Sequence, residues 1–90
     1  MAWQIEFEKE ALKELKKLDP QTARRILQFL NQRLAPLEDV RSIGEALKGS
    51  RLGDLWKYRV GDWRIICDIR DGEITVLVVR IGNRRQVYRS

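Results

Sequence analysis

The sequence holds no histidine, one cysteine (Cys67), one methionine and two prolines. A lone cysteine excludes a disulfide within the chain. Without histidine, no zinc site is expected and no acid–base step can run through an imidazole. No apolar run approaches the ~20 residues of a membrane span. Glu6 interrupts the N-terminal stretch where a secretory leader needs a longer apolar region. Repeats, low-complexity tracts and linkers are missing too. These absences predict a cytoplasmic protein with no membrane segment and no zinc site, folded as a single domain over residues 1–90.

What the chain does carry is positive charge, unevenly spread. Its 18 Lys and Arg against 13 Asp and Glu give a formal net charge of +5. Residues 1–48 hold nine basic and eight acidic side chains, and residues 49–90 hold nine basic and five acidic. A basic C-terminal half is compatible with a polyanionic partner, and equally with a mildly basic solvated surface.

Apolar spacing orders the elements. Trp3, Ile5 and Phe7 alternate with polar residues, which predicts a short strand. Ala11, Leu12, Leu15 and Leu18 follow at helical spacing over Glu8–Leu18. Asp19 then caps a second helix with Pro20 in its first turn, and Ala23, Ile26, Leu27, Leu30 and Leu34 form its apolar stripe. Residues 36–53 read as an irregular connection. The rest is a meander: Asp54–Val60, Trp63–Arg70 and Glu73–Ile81, separated by turns at Gly61-Asp62 and Asp71-Gly72. A further turn is expected at Gly82-Asn83, with a short strand over Gln86–Tyr88. The fold class is α+β: an N-terminal strand and a helical hairpin on one face of a small antiparallel sheet.

The two turns predict a register. Gly61-Asp62 sets Val60 against Trp63 and Arg59 against Arg64. Asp71-Gly72 sets Arg70 against Glu73 and Cys67 against Val76. With side chains alternating between faces, one face collects Trp56, Tyr58, Ile65, Cys67, Ile69, Val76 and Val78, which the helices can cover. The other collects Lys57, Arg59, Arg64, Asp68 and Arg70. Like charges directly opposed across strands are unfavourable by ~0.2–1 kcal/mol. An anion seated between the two guanidiniums would resolve that conflict. Neutralisation by Asp68 and the C-terminal residues would resolve it equally. Lys13, Lys16, Lys17, Arg24 and Arg25 read as a solvated face balanced by acids, Cys67 as an inert core residue, and Trp3, Trp56 and Trp63 as packing residues.

The stretch Leu55-Trp56-Lys57-Tyr58-Arg59-Val60-Gly61-Asp62-Trp63-Arg64-Ile65-Ile66 resembles the RelE toxin family. So do Ala11-Leu12-Lys13-Glu14-Leu15, Leu47-Lys48-Gly49 and the ending Ile81-Gly82-Asn83-Arg84-Arg85-Gln86-Val87-Tyr88. The resemblance spans nearly the whole chain and implies the RelE-like microbial ribonuclease fold. It implies a toxin of a type II toxin–antitoxin system that enters the ribosomal 30S A site. There it cleaves messenger RNA without metal or cofactor, by attack of the RNA's own 2′-hydroxyl, and so inhibits translation. A RelB-like antitoxin is the implied inhibitor.

Carried over residue by residue, Lys57 contacts the phosphate and Arg64 stabilises the phosphorane. Arg84 protonates the leaving oxygen and Tyr88 stacks on a base. Lys48, Arg51 and Arg85 are implied RNA contacts. Arg59 departs from the family pattern, which has a lysine there as general base. A guanidinium gives up its proton poorly, so either Arg59 acts only electrostatically or Lys57 takes the proton. Two other readings stay open: a ParE-like inhibitor of DNA gyrase, and an RNA-binding toxin weak in catalysis.

Overall fold

The computed structural model describes residues 2–47 and 55–85. Strand β1 (Gln4–Phe7) is followed by helices α1 (Lys9–Lys17) and α2 (Pro20–Gln28), then β2 (Glu45–Ala46), β3 (Leu55–Val60), β4 (Trp63–Arg70) and β5 (Thr75–Asn83). The helical hairpin forms as its sequence dictates. The Asp19 carboxylate accepts the Thr22 amide at 3.1 Å, and Pro20 occupies the first turn, where no amide donor is needed. After Gln28 the helix widens into a π-helical stretch, Phe29–Leu34, closed by Ala35 N–H donating to the Leu30 carbonyl at 2.9 Å.

The sheet order is β1-β5-β4-β3-β2. The meander β3–β4–β5 is antiparallel, as expected. β1 adds to its far edge parallel to β5, Ile5 beside Val76, so the sheet as a whole is mixed. At the other edge, β2 pairs with β3 through Glu45–Lys57 and Ala46–Trp56. This gives regular structure to part of the segment that reads as an irregular connection.

One apolar core lies between sheet and helices. Ala11, Ile26, Leu30 and Leu34 from the helical side meet Tyr58, Ile65, Cys67, Val76, Val78 and Ile81 from the strands. Trp3, Trp56 and Trp63 pack against its rim, as the sequence suggests. Burial pushes the Cys67 thiol far up, which leaves it protonated and inert. Tyr58 is buried, and its hydroxyl donates to the carbonyl of the equally buried Val40 at 2.6 Å.

The β4–β5 connection corrects the predicted register. Asp71–Glu73 form a 3₁₀ turn and Ile74 is left-handed at φ 50°, so four residues rather than two link the strands. Arg70 therefore faces Thr75, not Glu73, and Cys67 faces Val78, not Val76. The cause is side-chain chemistry that a dipeptide turn signal does not contain. Asp71 is taken by Arg41, whose guanidinium donates to both carboxylate oxygens at 2.9 and 3.0 Å. A slip of two residues preserves the faces. A β-bulge between Ile66 and Cys67 then moves the register one residue further, setting Ile66 against Arg80 and Ile65 against Ile81. Without it, the alternation of Val76 and Val78 would send Arg80 into the core. With it, Ile81 goes in, 2% exposed. Glu14 of α1 holds this irregular stretch, accepting Ile81 N–H at 2.9 Å and Arg80 Nε–H at 3.4 Å. The turn expected at Gly82-Asn83 lies later, because β5 runs through Asn83.

Two stability experiments follow. Tyr58→Phe should cost about 1–3 kcal/mol in urea unfolding, because the Val40 carbonyl stays buried without its donor. Arg41→Ala should cost about 0.5–1 kcal/mol at neutral pH, since the pair is largely solvent-exposed. The hydrogen bond from Arg41 holds the Asp71 carboxyl below its ordinary value. Its contribution is thus present above the ordinary carboxylate range and lost as pH falls through it. The difference between wild type and Arg41→Ala should shrink below about pH 4.

Candidate nucleic-acid interface

The β3–β4 hairpin carries the site, and its turn does the positioning. Gly61 sits at φ 60°, the left-handed conformation a tight two-residue hairpin requires at this place. That turn pairs Val60 with Trp63 and hence Arg59 with Arg64, as the sequence predicts. Arg59 and Arg64 therefore leave the same face of the sheet, the face away from the core. Across β4, Arg64 pairs with Gly82, which presents no side chain to crowd it.

The Arg64 guanidinium is anchored from below. Its Nη1 donates to the carbonyls of Gly61 at 3.0 Å and Trp63 at 3.1 Å. The end of β5 is tied to the same turn, because the Arg84 amide donates to the Asp62 carbonyl at 2.8 Å. Asn83 then bends the chain, its side-chain oxygen accepting the Arg85 amide at 3.0 Å. Lys57, Arg59, Arg64, Arg84 and Arg85 consequently line one cleft of about 510 Å³.

Among the described residues, none of Arg59, Arg64, Arg84 and Arg85 forms an ion pair. Asp68 does not neutralise them: its carboxylate meets Arg70 on the same strand at 3.3 Å. Arg70, expected on the basic face, is drawn off towards Asp68 and Glu73 and does not line the cleft. Lys48, Arg51 and Tyr88 lie outside the described residues.

Sequence reasoning missed Glu45. It lines the cleft and stands opposite Lys57 in the register, with its carboxylate 3.9 Å from Lys57 Nζ. A two-residue strand has no periodicity to read, so only the neighbouring glycine gave a signal. Gly44 is at φ 79°, and a Cβ there would lie 2.5 Å from the Lys57 carbonyl oxygen and 2.7 Å from Trp56 Nε1. The chain passes so close to β3 that no side chain fits, and this closeness brings Glu45 to the cleft.

The cleft is a cradle of guanidiniums and one ammonium, groups whose chemistry suits phosphate oxygens, since arginine forks match them and keep their charge. The family described as ParE toxin of type II toxin–antitoxin system, parDE, matches residues 5–88. The chain belongs to the RelE/ParE toxin superfamily.

Its fold is that of the solved RelE toxins. The RelBE2 toxin–antitoxin complex from Mycobacterium tuberculosis is similar at 24% identity and a TM-score of 0.81, with 93% of each chain covered. The archaeal RelE–RelB complex from Pyrococcus horikoshii is 25% identical with a TM-score of 0.68, covering 97% of this toxin and 100% of that chain. The intact E. coli RelBE complex is 23% identical with a TM-score of 0.72, covering 91% and 96%. No curated protein matches the toxin significantly. Among the described residues no helix is long and apolar enough to cross a membrane, and no cluster of metal-ligating side chains occurs.

Gly44→Ala tests how the site is built. It forces a left-handed alanine into contact with backbone at 2.5 Å. We expect a loss of at least about 2 kcal/mol in thermal or urea unfolding. Gly72→Ala, where a Cβ meets nothing within 4 Å, should be far milder.

Proposed function

We propose that this toxin is a metal-independent endoribonuclease that cleaves messenger RNA in the ribosomal A site and so arrests translation. The observation that carries the reading is the convergence of Lys57, Arg59, Arg64, Arg84 and Arg85 on one cleft, with Glu45 among them. The scissile phosphate sits between Arg59 and Arg64. The 2′-hydroxyl oxygen attacks phosphorus, the bond to the 5′ oxygen breaks, and the products are a cyclic phosphate and a free 5′-hydroxyl.

Charge developing on the phosphorane is met by Arg59, Arg64 and Lys57, and catalysis is largely positioning and electrostatic stabilisation. Arg84 delivers a proton to the leaving oxygen. Arg59 holds its own proton too tightly to be the base. Lys57 is ion-paired with Glu45. We therefore assign the 2′-hydroxyl proton to the Glu45 carboxylate, with Lys57 as its electrostatic partner. Tyr88 is proposed to stack on a base, and Lys48 and Arg51 to contact the RNA backbone. A RelB-like antitoxin is the proposed inhibitor, by analogy with the RelB chains held in the relatives' complexes.

The match to the ParE toxin family favours a second reading, a ParE-like toxin, for which the proposed target is DNA gyrase. Induced expression separates the two. Under the nuclease reading, translation stops, primer extension finds new 5′ ends inside translated codons, and DNA supercoiling is unchanged. Relaxed DNA without new 5′ ends would replace it with the gyrase reading, and arrest of translation without new 5′ ends with a binding-only toxin. Arg64→Ala and Arg84→Ala should each relieve growth arrest while keeping the wild-type circular dichroism spectrum. Glu45→Gln should lower single-turnover cleavage by roughly 10²–10⁴-fold, the usual contribution of a general base.

A further inference from the structure

The phosphate cleft is one lobe of a longer groove. A second lobe of about 630 Å³ opens beside it, and Gly44, Glu45, Tyr58 and Arg59 line both. Its outer wall is one stripe of α2 and the π-helical stretch: Arg25, Gln28, Phe29, Gln32 and Arg33. These positions are spaced i, i+3, i+4, i+7, i+8, so they share one helix face. They are not the apolar stripe of this helix, whose Ile26, Leu30 and Leu34 are fully buried in the core.

The wall is cationic and its charges are uncommitted. Among the described residues neither Arg25 nor Arg33 forms an ion pair; for Arg25 this departs from the expectation of a face balanced by acids. The Arg25 guanidinium lies against the hairpin turn, 3.5 Å from where a Cβ on Gly61 would stand. It thereby meets the site hairpin at the end that carries Arg59. Arg25 and Arg33 are separated by on the order of 10 Å along the helix, at ~1.5 Å per residue. Between them Gln28 and Gln32 offer side-chain amides, each with donors and an acceptor, suited to base edges or ribose hydroxyls.

We propose that this second lobe binds the single-stranded RNA segment adjoining the cleaved phosphate, with Arg25 and Arg33 on backbone phosphates and Gln28 and Gln32 reading the intervening nucleotide. The proposal rests on the nuclease reading and extends its substrate site to α2. Continuity through Arg59, and a wall stripe with two arginines, two glutamines and no carboxylate, favour nucleic acid over an apolar peptide.

The test measures binding of two non-cleavable RNAs, with 2′-deoxyribose at the cut position, by fluorescence anisotropy. One is a dinucleotide that fills only the phosphate cleft, and the other a hexanucleotide that fills both lobes. Arg25→Ala/Arg33→Ala should weaken the hexanucleotide roughly tenfold and leave the dinucleotide unchanged. The slope of log affinity against log salt should fall by about 1.4, at ~0.7 per phosphate contact on a single strand. Arg64→Ala should weaken both RNAs. If the double variant binds the hexanucleotide like wild type, the lobe proposal is wrong. If Arg64→Ala leaves both RNAs unaffected, the phosphate cleft itself has been misread, whatever the double variant does. Loss of affinity for a Glu-rich peptide with hexanucleotide affinity unchanged would assign the lobe to a protein partner and overturn the proposal. Both arginines are exposed, and thermal melts of the double variant should match wild type.

Discussion

Two arginines facing each other across a hairpin are the constraint around which this toxin is organised. The pairing of Arg59 with Arg64 works against folding, yet the left-handed Gly61 leaves the strands no other alignment. The surrounding structure accommodates the repulsion rather than cancelling it. Gly61 and Trp63 carbonyls accept from Arg64, Gly82 leaves its flank open, and Asp68 spends its charge on Arg70. A cradle left cationic in this way holds unfavourable electrostatics that an anion seated between the guanidiniums would relieve. Local conflicts retained in an otherwise consistent fold tend to mark working positions.

The rest of the fold holds that cradle still. Tyr58 anchors the β3 strand from the core side through Val40, while Gly44 lets the preceding segment lie flat on the same strand. Glu14 supplies β5 with the hydrogen-bond acceptor that β1, ending at Phe7, no longer provides. The Arg84 amide is bound to the hairpin tip at Asp62. Lys57, Arg59 and Arg64 thus leave backbone fixed by the sheet itself, and Arg84 and Arg85 leave backbone tied down just beyond it.

Most of this was legible in the sequence because it is written in period and punctuation. The helical hairpin followed from apolar spacing and the Asp19-Pro20 cap, and the Arg59–Arg64 pairing from a two-residue turn whose first position is glycine. What escaped reading depends on contacts between distant residues. Asp71-Gly72 looks like a tight turn until Arg41, thirty residues earlier, claims the carboxylate. Glu45 stands in a strand too short to show alternation. Arg25 and Arg33 share a stripe visible at helical spacing, but nothing local says that the stripe faces a groove and not bulk water.

The bulge between Ile66 and Cys67 makes the length of β5 matter more than any one of its side chains. Beyond it, which side of β5 carries charge is decided by the presence of one additional residue, not by the identity of any. Losing that residue would exchange inside for outside along the strand's last turn of alternation, taking the approach to Arg84 with it. A substitution here alters one position, whereas a change of length at this point turns the end of the strand over.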